Sequence, residues 1–405
     1  MSGESETSEE IPVEFQRHWL LEPGTTYLNH GAFGACPKRV LRRQSELRTQ
    51  FERQPTRFFE REIVGLFDHA RAELASFVGC DTDGMAFVPN ATTGINSVLR
   101  SRRFDPGDEL LVTDQAYRAC KNAVDFVADR AGAQVVTADV PFPVDGPEAI
   151  VEAILDATTP RTELALIEHV ASDTGLIWPV DEICETLDER HVDTLVDGAH
   201  APGMVDLDVE SIGCTYYTGN CHKWMCAPKG AAFLWVEPHE RDDVHPTTIS
   251  NGYGQQREDR SSYHMEFDWM GTADPSPYLC VPEAMDFLGE LVPGGWDGLR
   301  EHNHEFAVQA RRRICDLLGI DEPTPDDLIG SLAAVPLPDR DPDAELDDFG
   351  RDRLTRTLSE EHGIEVPIKA WPEGPQRLLR VSAQIYNTEQ DIDRLVDALD
   401  YELNL

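Results

Sequence analysis

Lysine is nearly missing from this chain of 405 residues, which holds only Lys38, Lys121, Lys223, Lys229 and Lys369. Acidic residues are abundant instead, with 75 Asp and Glu against 35 Lys and Arg and a formal net charge of −40. Such a surface repels the phosphates of nucleic acids, so we expect no nucleic-acid partner. The composition is also that of a protein kept soluble in high salt, and it makes any lysine in an apolar setting conspicuous.

Long apolar stretches are absent as well. No run reaches the 18 residues that a membrane-spanning helix needs, so we expect no membrane span. The first ten residues, MSGESETSEE, lack the basic and apolar parts of a secretory signal and read as a solvated acidic tail. The nine cysteines are scattered, odd in number and form no CxxC pair, which indicates reduced thiols in the cytoplasm. A metal site at Cys221, His222 and Cys226 is disfavoured, because no second ligand pair with zinc-type spacing exists.

Short apolar segments alternate with helical patterns over most of the chain, which predicts βαβ units. We predict strands at 85–88, 109–113, 134–137, 162–168 and 191–196. Helices are predicted at about 37–54, 62–78, 117–131, 147–157 and 180–189, and another follows the turn 89–94 and runs into Leu99. Strands that are apolar without alternation belong in a parallel sheet covered on both faces, and ligands bind beyond the carboxyl ends of such strands. The polar turns that follow these strands should therefore meet at one site.

The pattern changes at about residue 295. A long helix is predicted at 296–318, then strands near 330–337, 364–369 and 377–382, with helices near 344–362 and 388–403. We therefore expect an acidic tail and arm (1–24), a large α/β domain with a mostly parallel sheet flanked by helices (25–295), and a small α+β C-terminal domain (296–405).

The segment 191–236 carries the most chemistry. An apolar strand delivers Asp197 into the turn Gly198-Ala199-His200, and Lys223 follows 26 positions after the aspartate. Pyridoxal phosphate (PLP) needs such a pair, since a lysine amine must form an imine and move protons, and a carboxylate must keep the pyridine nitrogen protonated. Taken singly, Asp197 could be a helix N-cap and Lys223 a surface lysine. Their order and setting favour the PLP interpretation.

Six motifs together resemble the class V aminotransferase family, whose PLP enzymes share fold type I, and most closely its isopenicillin N epimerase-like branch. They are YLNHGAFGACP (27–37), NATTGIN (90–96), DGAHAPG (197–203), NCHKW (220–224), GTADPSPYL (271–279) and RVSAQIYNTEQDID (380–393). The resemblance runs from about residue 25 to the end of the chain.

The resemblance implies cofactor contacts. Ala91 and Thr92 would hold the phosphate at a helix N-terminus, and Tyr117 would stack on the ring. Ser172 or His200 would contact the ring hydroxyl, although the neighbouring Asp173 departs from the family pattern. The phosphate would also contact His222, Asn220 and, from the neighbouring subunit, Gly271-Thr272, which implies a homodimer.

The same resemblance implies substrate contacts. Arg380 would hold the substrate α-carboxylate, in preference to the nearby Arg377, because a guanidinium grips a planar anion with two hydrogen bonds. Asn29 and His30 would cover the substrate. His30 could be a proton donor, or a structural histidine.

The reaction is less determined than the cofactor. Persulfide-forming desulfurases of this fold carry a cysteine shortly before the carboxylate-binding arginine, and the segment 361–380 has none. The resemblance implies epimerisation or racemisation at an amino-acid α-carbon, with Lys223 as one base and His30 or Tyr117 as candidates for the second acid. A C–S lyase, an aminotransferase and a non-catalytic binding protein are the alternatives.

Overall fold

The computed structural model describes residues 15–341, 346 and 352–405. None of the helices formed by these residues has the length and apolar character that crossing a bilayer requires. The strands are β1 (Thr26–Tyr27), β2 (Met85–Val88), β3 (Glu109–Thr113), β4 (Gln134–Ala138), β5 (Thr162–Glu168), β6 (Asp193–Gly198), β7 (Tyr216–Asn220), β8 (Ala232–Val236), β9 (Leu332–Leu337), β10 (Ile364–Glu365), β11 (Ile368–Ala370) and β12 (Arg377–Ser382).

Helices surround these strands. They are α1 (His30–Phe33), α2 (Lys38–Arg53), α3 (Pro55–Arg57), α4 (Ile63–Val78), α5 (Ala91–Ser101), α6 (Arg118–Ala131), α7 (Glu148–Ala157), α8 (Val180–Glu189), α9 (Ser262–Phe267), α10 (Ser276–Leu279), α11 (Val281–Gly289), α12 (Gly295–Leu318), α13 (Arg353–His362) and α14 (Glu389–Leu403). Most of the predicted helices agree with these bounds to within one or two residues where both are described. The helix predicted after the turn 89–94 is an exception, because α5 already begins at Ala91.

Seven strands form the central sheet in the order β2-β8-β7-β6-β5-β3-β4. The five strands from β7 to β4 are parallel, whereas β8 is antiparallel to both of its neighbours. Both faces are buried: along β8, Phe233 packs in one apolar cluster and Leu234 in the cluster on the opposite face. Each such side chain contributes about 1.5–3 kcal/mol through burial. The predicted α/β class with a mostly parallel sheet is confirmed.

The C-terminal part of the chain has its own apolar cluster and a three-stranded antiparallel sheet, β11-β12-β9. The predicted strand at 364–369 is two strands, β10 and β11, separated by Val366-Pro367. The predicted helix at 344–362 is described as α13 only from Arg353; most of its earlier part lies outside the described residues. β1 pairs with β10 and Asn29 bridges to Ser382, so residues 26–29 reach the C-terminal sheet. The boundaries 25–295 and 296–405 stay predictions.

Candidate active site

A cavity of about 550 Å³ opens at the carboxyl end of the central sheet, next to the C-terminal sheet β11-β12-β9. Its volume lies in the range typical of small-molecule sites. The sequence-predicted residues that line it are Asn29, Ala91, Thr92, Tyr117, Ser172, Asp197, His200, Asn220, His222, Lys223 and Arg380. Strands far apart in sequence end side by side here, which is why these residues meet.

Lys223 lies in the turn after β7, with its Nζ 2.9 Å from His200 Nε2. Burial lowers the pKa of Lys223 to about 7; the charges of Arg380 and Lys369 act in the same direction, and Asp197 opposes them. A large share of this amine is therefore neutral near pH 7, the form that attacks a carbonyl carbon.

His200 fixes the protonation pattern around this amine. Trp224 Nε1, which can only donate, lies 3.3 Å from His200 Nδ1, so Nδ1 is an acceptor. Burial and the nearby cations hold the pKa of His200 well below its usual value, so the ring is neutral. Its proton is then on Nε2 and is donated to Nζ of neutral Lys223.

Asp197 occupies the end of β6 and is 5% exposed. Its Oδ1 accepts a hydrogen bond from the Ala199 N–H at 3.0 Å, and its Oδ2 accepts one from the Cys120 thiol at 3.3 Å. Burial raises the pKa of Asp197, while both hydrogen bonds and Lys223 oppose the rise. A buried carboxylate held by two donors suits the task of pairing with a protonated ring nitrogen.

Glu168 is a site residue that the sequence did not reveal. It ends β5 directly beside Asp197 on β6, lines the cavity and is 3% exposed. Thr113 Oγ1 donates to its Oε2 at 2.7 Å, whereas its buried Oε1 has no partner. Burial, with a contribution from the Asp197 charge, raises the pKa of Glu168 to about 8, so this carboxyl is mostly protonated at pH 7.

The phosphate end that the sequence predicted is the N-terminus of α5. Asn90 caps this helix by accepting the Thr93 N–H at 2.9 Å, and Asn220 Oδ1 accepts the Ala91 N–H at 2.9 Å. Asn220 therefore fixes the helix end. Close packing assists, since a Cβ added at Gly94 would lie 2.5 Å from Thr218 Oγ1 on β7. An anion beside Thr92 would meet the positive end of the helix dipole.

His222 lines the same end of the cavity. Its Nδ1 donates to the Ala231 carbonyl at 2.9 Å, so in the neutral ring Nε2 carries no proton. Burial lowers the pKa of His222 to about 4. Donation to a phosphate therefore requires that the anion itself raise this pKa and bring a proton to the ring.

Tyr117 and Ser172 differ in whether their side chains already have partners in the cavity wall. Tyr117 lines the cavity at the start of α6 with 47% of its surface exposed, so a ring face is open for stacking. Ser172 also lines the cavity, but its carbonyl accepts a hydrogen bond from Arg380 Nη1 and its Oγ lies 3.5 Å from the same nitrogen. Ser172 therefore contacts the arginine rather than standing free for a ring hydroxyl.

Arg380 lies on β12, is 3% exposed and keeps a buried Nε with no partner. Burial lowers the pKa of this guanidinium, and Asp173 opposes the change. Arg377, which the sequence analysis set aside, is bonded to Asp352 and the Pro338 carbonyl and does not line the cavity. The preference for Arg380 therefore agrees with the geometry.

Asn29 and His30, the two residues predicted to cover the substrate, lie in different surroundings. Asn29 lines the cavity with a buried, unpartnered Oδ1, but His30 is fully buried and does not line it. The His30 ring lies between Tyr386 Oη at 2.8 Å and the Lys223 carbonyl at 3.0 Å. Burial lowers its pKa to about 3. His30 thus contacts the backbone of Lys223 and is not a lining residue of the cavity.

Thr272 is likewise not brought to the cavity within one chain: it is exposed and lies outside the lining residues. A contact with the phosphate would have to come from a second subunit. In the described part of the chain no cluster of three or more His, Cys, Asp or Glu residues could hold a metal ion.

The remaining lining groups fit PLP. A buried amine with a lowered pKa, a buried carboxylate, a helix N-terminus and an open aromatic face share one cavity. These are the four groups that the cofactor's carbonyl, ring nitrogen, phosphate and ring require. The fold and this site define the class of PLP-dependent enzymes.

Comparison with known proteins gives the family. Residues 26–395 match the family Aminotransferase class-V, and the chain belongs to it. It is 36% identical to isopenicillin N epimerase of Streptomyces clavuligerus, over 96% of this chain and 97% of that protein. It is 32% identical to a probable chloroplastic L-cysteine desulfhydrase of Arabidopsis thaliana, over 97% of this chain and 85% of the relative. The predicted family and cofactor are thereby confirmed.

Solved structures agree on the fold. A variant of C-DES with glycine covalently linked to its PLP cofactor superposes with a TM-score of 0.79 at 21% identity, covering 95% of this chain and 98% of that one. The cysteine desulfurase CsdA of Escherichia coli gives a TM-score of 0.76 at 20% identity, covering 97% and 98%.

Proposed function

We propose that this enzyme is an epimerase or racemase that inverts the α-carbon of an amino acid or an amino-acid-derived substrate. The observation that carries the proposal is the 36% identity to an isopenicillin N epimerase along nearly the whole of both chains. The cavity supports it, because a neutral lysine amine and a carboxylate-binding arginine both face the space beside Asp197.

PLP, when bound, supplies an electron sink that makes the substrate α-hydrogen acidic. Lys223 takes this proton on one face, and a pKa of about 7 suits an amine that must both accept and return a proton near neutral pH. His200 holds Nζ in place through its Nε2–H. Arg380 holds the α-carboxylate, which fixes the direction of the α-C–H bond.

Inversion needs a proton from the opposite face. Of the two candidates from the sequence, His30 does not line the cavity, whereas Tyr117 does and is half exposed. We therefore assign this proton transfer to the Tyr117 hydroxyl. We also propose a homodimer in which Thr272 of the partner subunit contacts the phosphate, and a cytoplasmic enzyme, in line with nine free cysteines.

A C–S lyase is the second candidate, because the Arabidopsis thaliana relative is named a desulfhydrase. Elimination of a β-thiol would use the same α-proton removal by Lys223. A persulfide route is not supported, since none of the nine cysteines lines the cavity.

Incubation of the holoenzyme with enantiopure L-amino acids in D₂O distinguishes the two. The proposal predicts deuterium at the α-carbon together with the D-enantiomer, measured by NMR and chiral chromatography, and neither product with Lys223→Ala. Sulfide and a keto acid formed without inversion would refute epimerisation and establish the lyase.

A further inference from the structure

Two cations share one face of the C-terminal sheet. β11 and β12 are antiparallel, with Lys369 opposite Leu378, and the Arg380 N–H donates to the Pro367 carbonyl at 3.1 Å. Residues directly opposite each other and residues two apart lie on the same face, so Lys369 and Arg380 are diagonal neighbours, about 7–8 Å apart. The opposite face carries Leu379, which packs in the C-terminal core.

Both cations line the cavity, and its other wall carries the two carboxyl groups Glu168 and Asp197. Glu168 is mostly protonated at pH 7, so the negative charge on that wall is that of Asp197, and the positive side of the cavity lies on the C-terminal sheet. Arg380 accounts for one carboxylate of a substrate. Lys369 is then a second positive charge with no role in the proposed reaction.

Asp173 holds Lys369 from outside the cavity. The two side chains form an ion pair, but Asp173 is not among the lining residues. Both side chains are about one-third exposed, so solvent weakens this pairing, and Lys369 is itself a lining residue of the cavity. The ion pair therefore orients one of only five lysines in the chain.

We propose that Lys369 forms a subsite for a second anionic group of the substrate. The substrate class is then an amino acid, or a derivative of one, that carries a further carboxylate or similar anion besides the α-carboxylate at Arg380. An ammonium group is a compact point charge and can pair with such an anion, whereas a neutral side chain at this position would leave the anion without a counter-charge. The inference rests on the proposed function for the role of Arg380.

Equilibrium binding to the holoenzyme tests the subsite without turnover. The probes are glutarate and its monoamide, which differ only in the second charge, and binding is followed by cofactor absorbance and calorimetry. We expect glutarate to bind roughly tenfold to a hundredfold more tightly, the range of one charged hydrogen bond. Lys369→Gln should remove this difference and leave the monoamide affinity unchanged, and Lys369→Arg should retain it.

Equal affinities in the parent enzyme, or an equal loss for both probes in Lys369→Gln, would overturn the subsite. The proposed function fails separately, if the parent holoenzyme exchanges no α-proton with any amino acid in D₂O. A ratio near one with exchange intact refutes only the subsite, and a large ratio without exchange refutes only the reaction.

Discussion

Replacing Arg380 by lysine tests the substrate-binding assignment most sharply. Lysine keeps the positive charge but loses the fork of two parallel donors that fits a carboxylate. The loss of one charged hydrogen bond costs about 1.5–3 kcal/mol. At about 1.4 kcal/mol per factor of ten, kcat/KM should fall roughly 10- to 150-fold. Most of the change should appear in KM, because the carboxylate is bound before and during the reaction.

The assay is the initial rate of α-proton exchange in D₂O as a function of substrate concentration. Arg377→Lys is the matched control, since Arg377 lies on the same strand but is bonded to Asp352 away from the cavity. This control should lose thermal stability and keep its KM. An unchanged KM in Arg380→Lys, or the same kinetic loss in Arg377→Lys, would refute the reasoning.

Three further predictions follow from the site. Asp197→Asn should retain the cofactor but lower kcat at least a hundredfold. The kcat of Cys120→Ser should stay within about tenfold of the parent value, because a hydroxyl can also donate to Asp197. Steady-state kinetics and cofactor absorbance compare the two variants, and equal losses of kcat would contradict the assignment. The rate of cofactor capture by the apoenzyme should rise with pH up to about 7 and then level off, because the lowered pKa leaves Lys223 neutral above that point; a rate that still rises at pH 9 would indicate an ordinary lysine. Asn220→Ala should destabilise the apoenzyme by about 1–2 kcal/mol in urea unfolding and weaken PLP binding, because the Ala91 N–H loses its acceptor; an unchanged PLP affinity would argue against a phosphate site at this helix.

The sequence predicted the elements that repeat a simple pattern. β3 and β5 have the predicted bounds because they are continuous apolar runs between turns. β7 was missed, since Gly219 and Asn220 are not typical of a strand interior. β7 is stabilised by pairing with β6 and β8 on its two sides, and such pairing cannot be read from the local sequence.

The site divides in a similar way. Asp197 and Lys223 could be found because their chemistry is specific and their order along the chain is informative. Glu168 and Cys120 could not, because only the fold brings them to Asp197. Glu168 lies beside it on the neighbouring strand, and Cys120 donates to it across 77 positions of sequence. For His30 the sequence left two alternatives open, a proton donor and a structural histidine, and only the fold places its ring against the Lys223 carbonyl. Lys369 could have been singled out from the sequence, because it is one of only five lysines and lies 11 positions before Arg380.

Borohydride reduction of the holoenzyme, followed by peptide mapping, tests the central assignment most directly. With only five lysines in the chain, the labelled position is read without ambiguity. The account predicts a reduced cofactor on the peptide that contains Lys223, and no label in Lys223→Ala. A label on Lys229 or Lys369, or an undiminished label in Lys223→Ala, would show that Lys223 is not the cofactor lysine.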